Sequence, residues 1–542
     1  MTSYVVTSAP PNPNGDLHLG HLSGPFLGAD VLARHLRQTG HDVHYVGYSD
    51  EHSCYVPRRA AEIGSTAYPT AKLFGDRMEE TLSLGAMHHD WFTRPLTDDT
   101  HTAFVQRFFL ELWESGALEV QELPVFHCAD CSRYLYEAEV RGECQFCAEP
   151  SDGVYCEACG LPQDPAGLAA PKCTACWKTP ETTTLRRIVF PLENYRERLE
   201  SYYASAQAKA EWRPRLREYL DGLFARELPA TPISREASYG VPVPLPGWEG
   251  HILDTWFSGI WGYAAATARL TEANGDAEGW SALWTDPATR IVNFIGFDCS
   301  FSHAVLWPAL LLAQGELTLP SQVVINEFYR LEGDKFSTSR GHAIWGGEFL
   351  RRVNADALRF HLCLTGPERE QNNFSMKEFA DTVSTVLAGG LERWTDTVLD
   401  LLAQDFGSRV PEGAAVPERA QLEGEIAAAL GAESFSPQRA AAAIATVVDR
   451  ATDDLRELAL LRASGPRERY AARLAAHAEL LAAVAVTAAP LMPGWSAFLA
   501  GHLGLPVDQA TRMPSWSAPA GPLLPAGSPV PAAVPLFFHE LS

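Results

Sequence analysis

Residues 14–24 read NGDLHLGHLSG and set His18 and His21 three apart, with Gly20 between them. The stretch follows SYVVTSAP, a short apolar run. It precedes LSGPFLGADVLARHLRQTG, whose apolar residues recur at helical spacing as far as Gly40. The histidines therefore fall at a strand-to-helix junction. Unpaired N–H groups and the positive end of the helix dipole make such a junction a seat for phosphate. Two imidazoles there can donate to a triphosphate and stabilise charge that builds on it. Gly20 would let a flat group approach the backbone. A second stretch, GDKFSTSRG at 333–341, sets Lys335 among small residues that include Ser337 and Ser339. A loop of that composition can close over phosphates, with the lysine as point charge. The chain has only six lysines, so this one stands out. Taken singly, an H-x-x-H pair is more often a packing feature and such a loop an ordinary surface loop. The case rests on finding both in one chain.

Eight of the eleven cysteines form four C-x-x-C pairs: Cys128/Cys131, Cys144/Cys147, Cys156/Cys159 and Cys173/Cys176. Each C-x-x-C turn offers two thiolates, and a tetrahedral zinc takes four. Eight ligands therefore make two closed structural Zn2+ sites. Such sites have no open position, so they support a fold and do not catalyse. Disulfides are the alternative, which a cytoplasmic chain disfavours. Spacing alone does not say which pairs share a metal. Cys54, Cys299 and Cys363 read as buried thiols.

The elements that must position these groups follow. SYVVTSAP and DVHYVGYSDEH read as strands on either side of a helix, the opening of a parallel α/β sheet. Strand patterns return at GHILDTWF and RIVNFIG. VLWPALLLAQG then reads as a helix and SQVVINEF as a strand. From about residue 375 the chain is helical and alanine-rich. Ser436 and Pro437 look like the N-cap and first-turn proline of a helix running to about 463. The expected division is a catalytic domain in two halves, 1–115 and 233–325, interrupted by a cysteine-bearing insertion at 116–232. A loop region at 326–380, a helical bundle at 381–512 and a tail at 513–542 complete it.

The net charge is −24, from 67 acidic and 43 basic residues. That gives no whole-chain attraction to nucleic acid and leaves room only for a local basic path. No run approaches the ~20 apolar residues of a membrane span. Residues 1–30 lack a basic segment followed by an apolar one, so no secretory signal is read. The expectation is a cytoplasmic, monomeric enzyme with no membrane partner.

Together the two signatures resemble those of class I aminoacyl-tRNA synthetases. NGDLHLGH, the four cysteine pairs, ISREASYGVPVP, NFIGFD, FSHAVLWPA and NADALRFHL narrow the resemblance to methionyl-tRNA synthetases, in the same order. The resemblance implies an α/β fold: a class I Rossmann-type parallel-sheet catalytic domain, an inserted zinc-knuckle domain and a C-terminal α-helical bundle. It implies that ATP, with Mg2+, activates an amino acid as its adenylate. His18 and His21 would bind and neutralise the ATP phosphates, in a site shared with Gly20, Ser337 and Ser339. Lys335 would clamp the pyrophosphate side and Asp298 would contact the nucleoside. Asp50 would hold the α-ammonium through charge-assisted bonds. Arg235 matches an arginine lining the active site. Pro10, Asn12, Trp256, Tyr263, Cys299 and His303 would line the amino-acid pocket. The family's nested pairing implies one zinc on Cys144, Cys147, Cys156 and Cys159, and another on Cys128, Cys131, Cys173 and Cys176.

The departures point elsewhere. Pro10 and Asn12 stand where the family closes a leucine and a tyrosine on the substrate. Ser258, Gly259, Ile260 and Trp261 replace a D-A-P-I segment. Pro10, Asn12 and Ser258 suggest a less apolar pocket. Thr338 replaces the second lysine of the second signature. Gly389 stands in place of an anticodon-reading asparagine four residues before Arg393, and no tryptophan occurs between Trp394 and Trp495. Stacking and base-edge bonds read a single-stranded anticodon. The expectation is therefore acyl transfer to a small-molecule nucleophile, as in hydrazine or other natural-product biosynthesis, with the acceptor made by a separate cupin-type partner. The alternative is a divergent methionine–tRNA ligase.

Overall fold

The computed structural model describes residues 2–163, 165–336, 343–413, 416–509, 511–516 and 521–538. Five strands form the central sheet: β1 (Ser3–Ser8), β2 (Asp42–Tyr48), β3 (Trp91–Thr93), β4 (Arg290–Gly296) and β5 (Gln322–Asn326). Their order is β5-β4-β1-β2-β3 and every pairing is parallel. Val5 lies between His44 of β2 and Ile291 of β4. The strand order reverses at β1, so a crevice opens between the carboxyl ends of β1 and β4. Ligands bind at such switch points in open α/β sheets.

Helix α1 (Leu27–Gln38) returns the chain from β1 to β2 and stops before Gly40, whose φ of 86° suits glycine. Ahead of it the chain winds through a single α-turn, Leu19–His21, and then a wider π-helical stretch, Leu22–Phe26. That stretch breaks at Gly24 (φ −98°, ψ −116°), beside Pro25. The region read as a strand in GHILDTWF is only partly one. His251–Leu253 pairs antiparallel with Ser234–Glu236, outside the main sheet, and Asp254 then caps a helix starting at Thr255.

Two apolar cores flank the sheet. One packs α1 against the C-terminal helices through Leu27, Leu32, Phe360, Trp394 and Leu474. The other joins the far face to Phe108, Trp261, Trp284 and Trp307. Tyr203, Trp212 and Leu216, from the segment between β3 and β4, share that second core, so the helices Arg196–Gln207 and Pro214–Phe224 are fastened to the sheet. A third, small cluster surrounds Cys128 and Cys173. The long bundle helix runs Pro437–Ser464, and Ser436 Oγ accepts the Arg439 N–H at 3.2 Å, as the cap pattern leads one to expect. Residues 521–538 lie along the bundle. Glu479 accepts the N–H groups of Leu523 and Leu524, and Glu392 those of Phe537 and Phe538. Among the described residues no helix is long and apolar enough to cross a membrane.

Candidate active site at the carboxyl edge of the sheet

His18 caps the turn Leu19–His21. The His21 N–H donates to His18 Nδ1 at 3.3 Å, and the His18 N–H to His21 Nδ1 at 3.2 Å. Both Nδ1 atoms accept, which leaves Nε2 of each ring as the nitrogen that can donate outward. The rings stack with centroids 3.7 Å apart. Burial lowers the His21 pKa to about 4, which keeps that ring neutral at physiological pH. His21 is therefore placed to act as a neutral N–H donor.

The two signatures meet here. The Phe336 ring stacks on His18 at 4.9 Å. The Leu19 N–H donates to the Ile344 carbonyl, and the Gly346 N–H to that of Leu17. Lys335 pairs by its backbone with Arg330 in a short antiparallel ribbon, directly before Phe336. Ser337, Thr338 and Ser339 lie outside the described residues. Gly20 also serves the packing of the turn. A Cβ there would come within 3.0 Å of His18 Cε1 and 3.3 Å of Phe336 Cδ2. Glycine thus leaves the space that these two rings need at the turn.

The end of β2 delivers Asp50, half-buried, whose N–H donates to the Pro11 carbonyl at 2.9 Å and pins the PPNPNG turn. Around it stand Glu137 and Asp254, both buried, with Arg235, which is 1% exposed. Arg235 Nη1 lies 3.8 Å from Glu137 and 3.7 Å from Asp254, and donates a hydrogen bond to neither. Arg235 thus lies buried against the two carboxylates. Burial, then the charge of Glu137, raises the Asp50 pKa well above its ordinary value, against the pull of Arg235. Burial likewise pushes Glu137 up to about 7. Three acids sharing one guanidinium leave room for another cation, which suits an ammonium group beside Asp50.

Glu137 was not legible as a site residue. It lies in YLYEAEV, between two cysteine pairs, with nothing local to mark it. Asp254 had a signal, an aspartate directly before a helical T-W-F, and its carboxylate does accept the Trp256 N–H at 3.1 Å.

On the pocket side, Tyr263 Oη and His303 Nε2 are 2.9 Å apart, and His303 Nδ1 meets Ser302 Oγ at 2.8 Å. Burial lowers His303 to about 4 and keeps it neutral. Tyr48 packs edge-on against Tyr263. Trp256 is half-buried, and its indole N–H donates to Glu137 at 2.9 Å. Asn12 Oδ1 is buried with no hydrogen-bond partner among the described residues, while Pro10 stays partly exposed. Asp298 folds back so that a Cβ on Gly296 would meet its Oδ1 at 2.5 Å. Burial, foremost, raises the Cys299 thiol pKa and keeps it protonated. Ser258 does not make the pocket polar, as its sequence position suggested. It is 2% exposed and its hydroxyl donates to the Thr255 carbonyl at 3.4 Å. Trp261 belongs to the core, stacked on Phe108 at 4.2 Å.

The cysteines form two groups, Cys128, Cys131, Cys173 and Cys176, and Cys144, Cys147, Cys156 and Cys159, each with its sulfurs within 4.8 Å of one another. This is the nested pairing that the resemblance implied. The Cys128–Cys176 and Cys131–Cys173 separations are 3.5 and 3.9 Å; Cys147–Cys156 and Cys144–Cys159 are 3.6 and 3.9 Å. A tetrahedron with Zn–S bonds of ~2.3 Å has edges of about 3.8 Å, so both donor sets fit zinc.

A parallel sheet with a His-x-x-His turn at the first crossover, and Phe336 of the second signature stacked on that turn, is the arrangement of a class I synthetase catalytic domain. The profile of the family described as tRNA synthetases class I (M) matches residues 4–396, and the chain belongs to that family. Among curated relatives, the methionine–tRNA ligase of Chlorobium limicola is 33% identical over 76% of this chain. The chain spans only 59% of that relative's length. The methionine–tRNA ligase of Rubrobacter xylanophilus is 32% identical over 94% of this chain and 91% of its own. A solved Mycobacterium tuberculosis methionyl-tRNA synthetase in complex with methionyl-adenylate superposes with a TM-score of 0.79. The superposition covers 99% of this chain and 100% of that one, at 21% identity.

Proposed function

We propose that the protein is an ATP-dependent ligase that activates methionine as its adenylate and passes the methionyl group to tRNA. The observation that carries this reading is the meeting of His18, His21 and Phe336 after β1, with the cation-seeking cluster of Asp50, Glu137 and Asp254 gathered at the carboxyl end of the neighbouring strand β2. In the first step a carboxylate oxygen of methionine attacks the α-phosphorus of ATP. The acyl–phosphate bond forms, the α–β bridge breaks and pyrophosphate leaves. Asp50 holds the ammonium, with the neighbouring carboxylates adding to the field. His18 and His21 donate from Nε2 to phosphate oxygens where negative charge builds. Lys335 supplies a point charge to the departing pyrophosphate, and Asp298 meets the nucleoside. In the second step a terminal ribose hydroxyl of tRNA attacks the acyl carbon and AMP departs. Mg2+ would accompany ATP. The two cysteine groups would each hold one Zn2+ that supports the inserted domain.

The small-molecule acceptor expected from the sequence has less support. The relatives named above are methionine–tRNA ligases, and the Rubrobacter alignment runs through the helical bundle. What still favours it is the bundle itself. Gly389 and Arg393 are exposed, but Trp394 is buried against His477 at 3.1 Å and offers no face to a base. A cupin-type partner has no support.

Pyrophosphate exchange across the twenty amino acids, followed by acylation of total tRNA, tests the proposal. Methionine-dependent exchange with saturable charging that needs a CAU anticodon is the expected result. Exchange without charging would restore the small-molecule acceptor. No exchange with any amino acid would overturn both.

A further inference from the structure

We propose that Glu137 and Tyr155 of the inserted domain are positioning residues that clamp the Trp256 side chain as one wall of the amino-acid pocket, so that this domain sets selectivity for the amino acid. The inference rests on the reading of Trp256 as a pocket residue in a methionine-activating site.

Trp256 is anchored by its own helix only at the backbone, through Asp254. Its side chain is fixed from outside. The indole N–H donates to Glu137 Oε1 at 2.9 Å. Tyr155 packs edge-to-face against the indole, with centroids 4.7 Å apart and planes at 74°. The same Tyr155 ring lies 5.2 Å from Phe301, at the start of the segment that bears His303. One residue of the insertion thus touches both walls, Trp256 from one element and Phe301 from another. Neither clamp residue comes from the sheet domain. Glu137 follows the first cysteine pair of one cluster, and Tyr155 directly precedes Cys156 of the other.

The backbone at Glu137 supports a built contact. Its φ is 44°, in the left-handed region that a glutamate rarely adopts and that persists where surrounding structure over-determines it. That conformation turns a 6%-exposed carboxylate inward, where one oxygen takes the indole N–H and the other the Cys54 thiol at 3.3 Å. An amphipathic ring held by its N–H at one end and its edge at the other presents a fixed apolar face. A flexible thioether side chain packs favourably on such a face. Released, the indole would let the pocket admit other shapes.

The test uses the full-length protein. The emission difference between parent and Trp256→Phe isolates the Trp256 signal, and acrylamide quenching of that signal reads its freedom without any substrate. Glu137→Ala and Tyr155→Leu should each increase that quenching. Glu137→Gln, which keeps an acceptor for the indole, should stay close to the parent. In pyrophosphate exchange, Tyr155→Leu should raise KM for methionine about tenfold while KM for ATP stays within about twofold. In the Trp256→Phe background it should change KM little further. Thermal unfolding of each variant separates these effects from loss of fold. The clamp is overturned if quenching is unchanged in both Glu137→Ala and Tyr155→Leu, or if the KM effect persists in full without Trp256. A parent that shows no methionine-dependent exchange would instead sink the functional reading, and the quenching series would still decide the clamp.

Discussion

Arg359 of the helix Ala355–Thr365 reaches Asp30 on α1, Nη2 to Oδ2 at 2.7 Å, with both side chains buried. The guanidinium also donates to the carbonyls of Leu491, Pro490, Gly85 and Ala86. One side chain thereby joins the helix behind the first signature to the C-terminal bundle. Arg359→Met should cost roughly 3–5 kcal/mol, because it strands a buried carboxylate and several carbonyls. Urea unfolding measures it. Arg34, also paired with Asp30, sets the lower end of that range.

His21→Ala and Lys335→Ala should each slow pyrophosphate exchange by about tenfold or more, at 1.36 kcal/mol per decade. The KM for ATP should move less, since donors aimed at developing charge act mainly on the transition state. Because His21 is neutral above about pH 4, its loss should lower the exchange rate without shifting the pH profile between 6 and 8.

Gly20→Ala should slow exchange as well, for a steric reason. The new Cβ would press on His18 and Phe336, unstacking the two signatures. Phe336→Leu in that background should restore part of the rate. Unchanged exchange in Gly20→Ala would show that the stack does not hold the donors in place.

The pH dependence of stability carries a mark of Glu137. Its folded pKa, about 7, lies above its ordinary value of 4.5. Between those values the folded state holds more protons than the unfolded one, so stability falls as pH rises through that window. Below 4.5 the contribution is constant, and above 7 the loss is complete. Glu137 faces Arg235, Asp254, Cys54 and Asp50, and the Arg235 charge opposes the shift. Glu137→Gln should flatten the decline in unfolding free energy from pH 5 to pH 7, by at most on the order of 3 kcal/mol.

Elemental analysis of freshly purified protein should find two zinc ions per chain. Stripping them with a chelator should unfold the inserted domain, since metal binding in such knuckles is folding free energy. A Cys156→Ser variant should lose one zinc and raise KM for methionine through Tyr155, whereas Cys131→Ser should lose one zinc with a smaller effect on that constant.

The sheet and its signatures were legible because their signals are local. Alternation and helical spacing mark β1, α1 and β2, and Ser436–Pro437 announces a helix start. The eight cysteines declare themselves by spacing, and their nested pairing came from the resemblance. What escaped depends on contacts across the chain. Glu137 and Tyr155 matter only because the insertion folds back over Trp256. That Gly20 also makes room for the stack of His18 and Phe336 was hidden, because Phe336 arrives from more than 300 residues away. Ser258 looked like pocket polarity until its hydroxyl proved to be spent on the preceding turn. GHILDTWF held an apolar run too short to tell a strand from the start of a helix.

Residues 521–538 are moored by their main chain: two carboxylates, Glu479 and Glu392, hold the amides of Leu523, Leu524, Phe537 and Phe538. Each of those four positions must keep an amide hydrogen, which every residue except proline provides. Between the two moorings the strap is tied again, where the Val410 N–H donates to the Ser528 carbonyl and the Val530 N–H to that of Ser408. Leu524, Val530 and Phe538 are buried in the same core as the bundle helices. Tolerance to substitution should therefore be confined to the exposed positions of the tail, and lost where proline enters a mooring, where Glu479 or Glu392 is removed, or where a polar residue replaces Leu524 or Phe538.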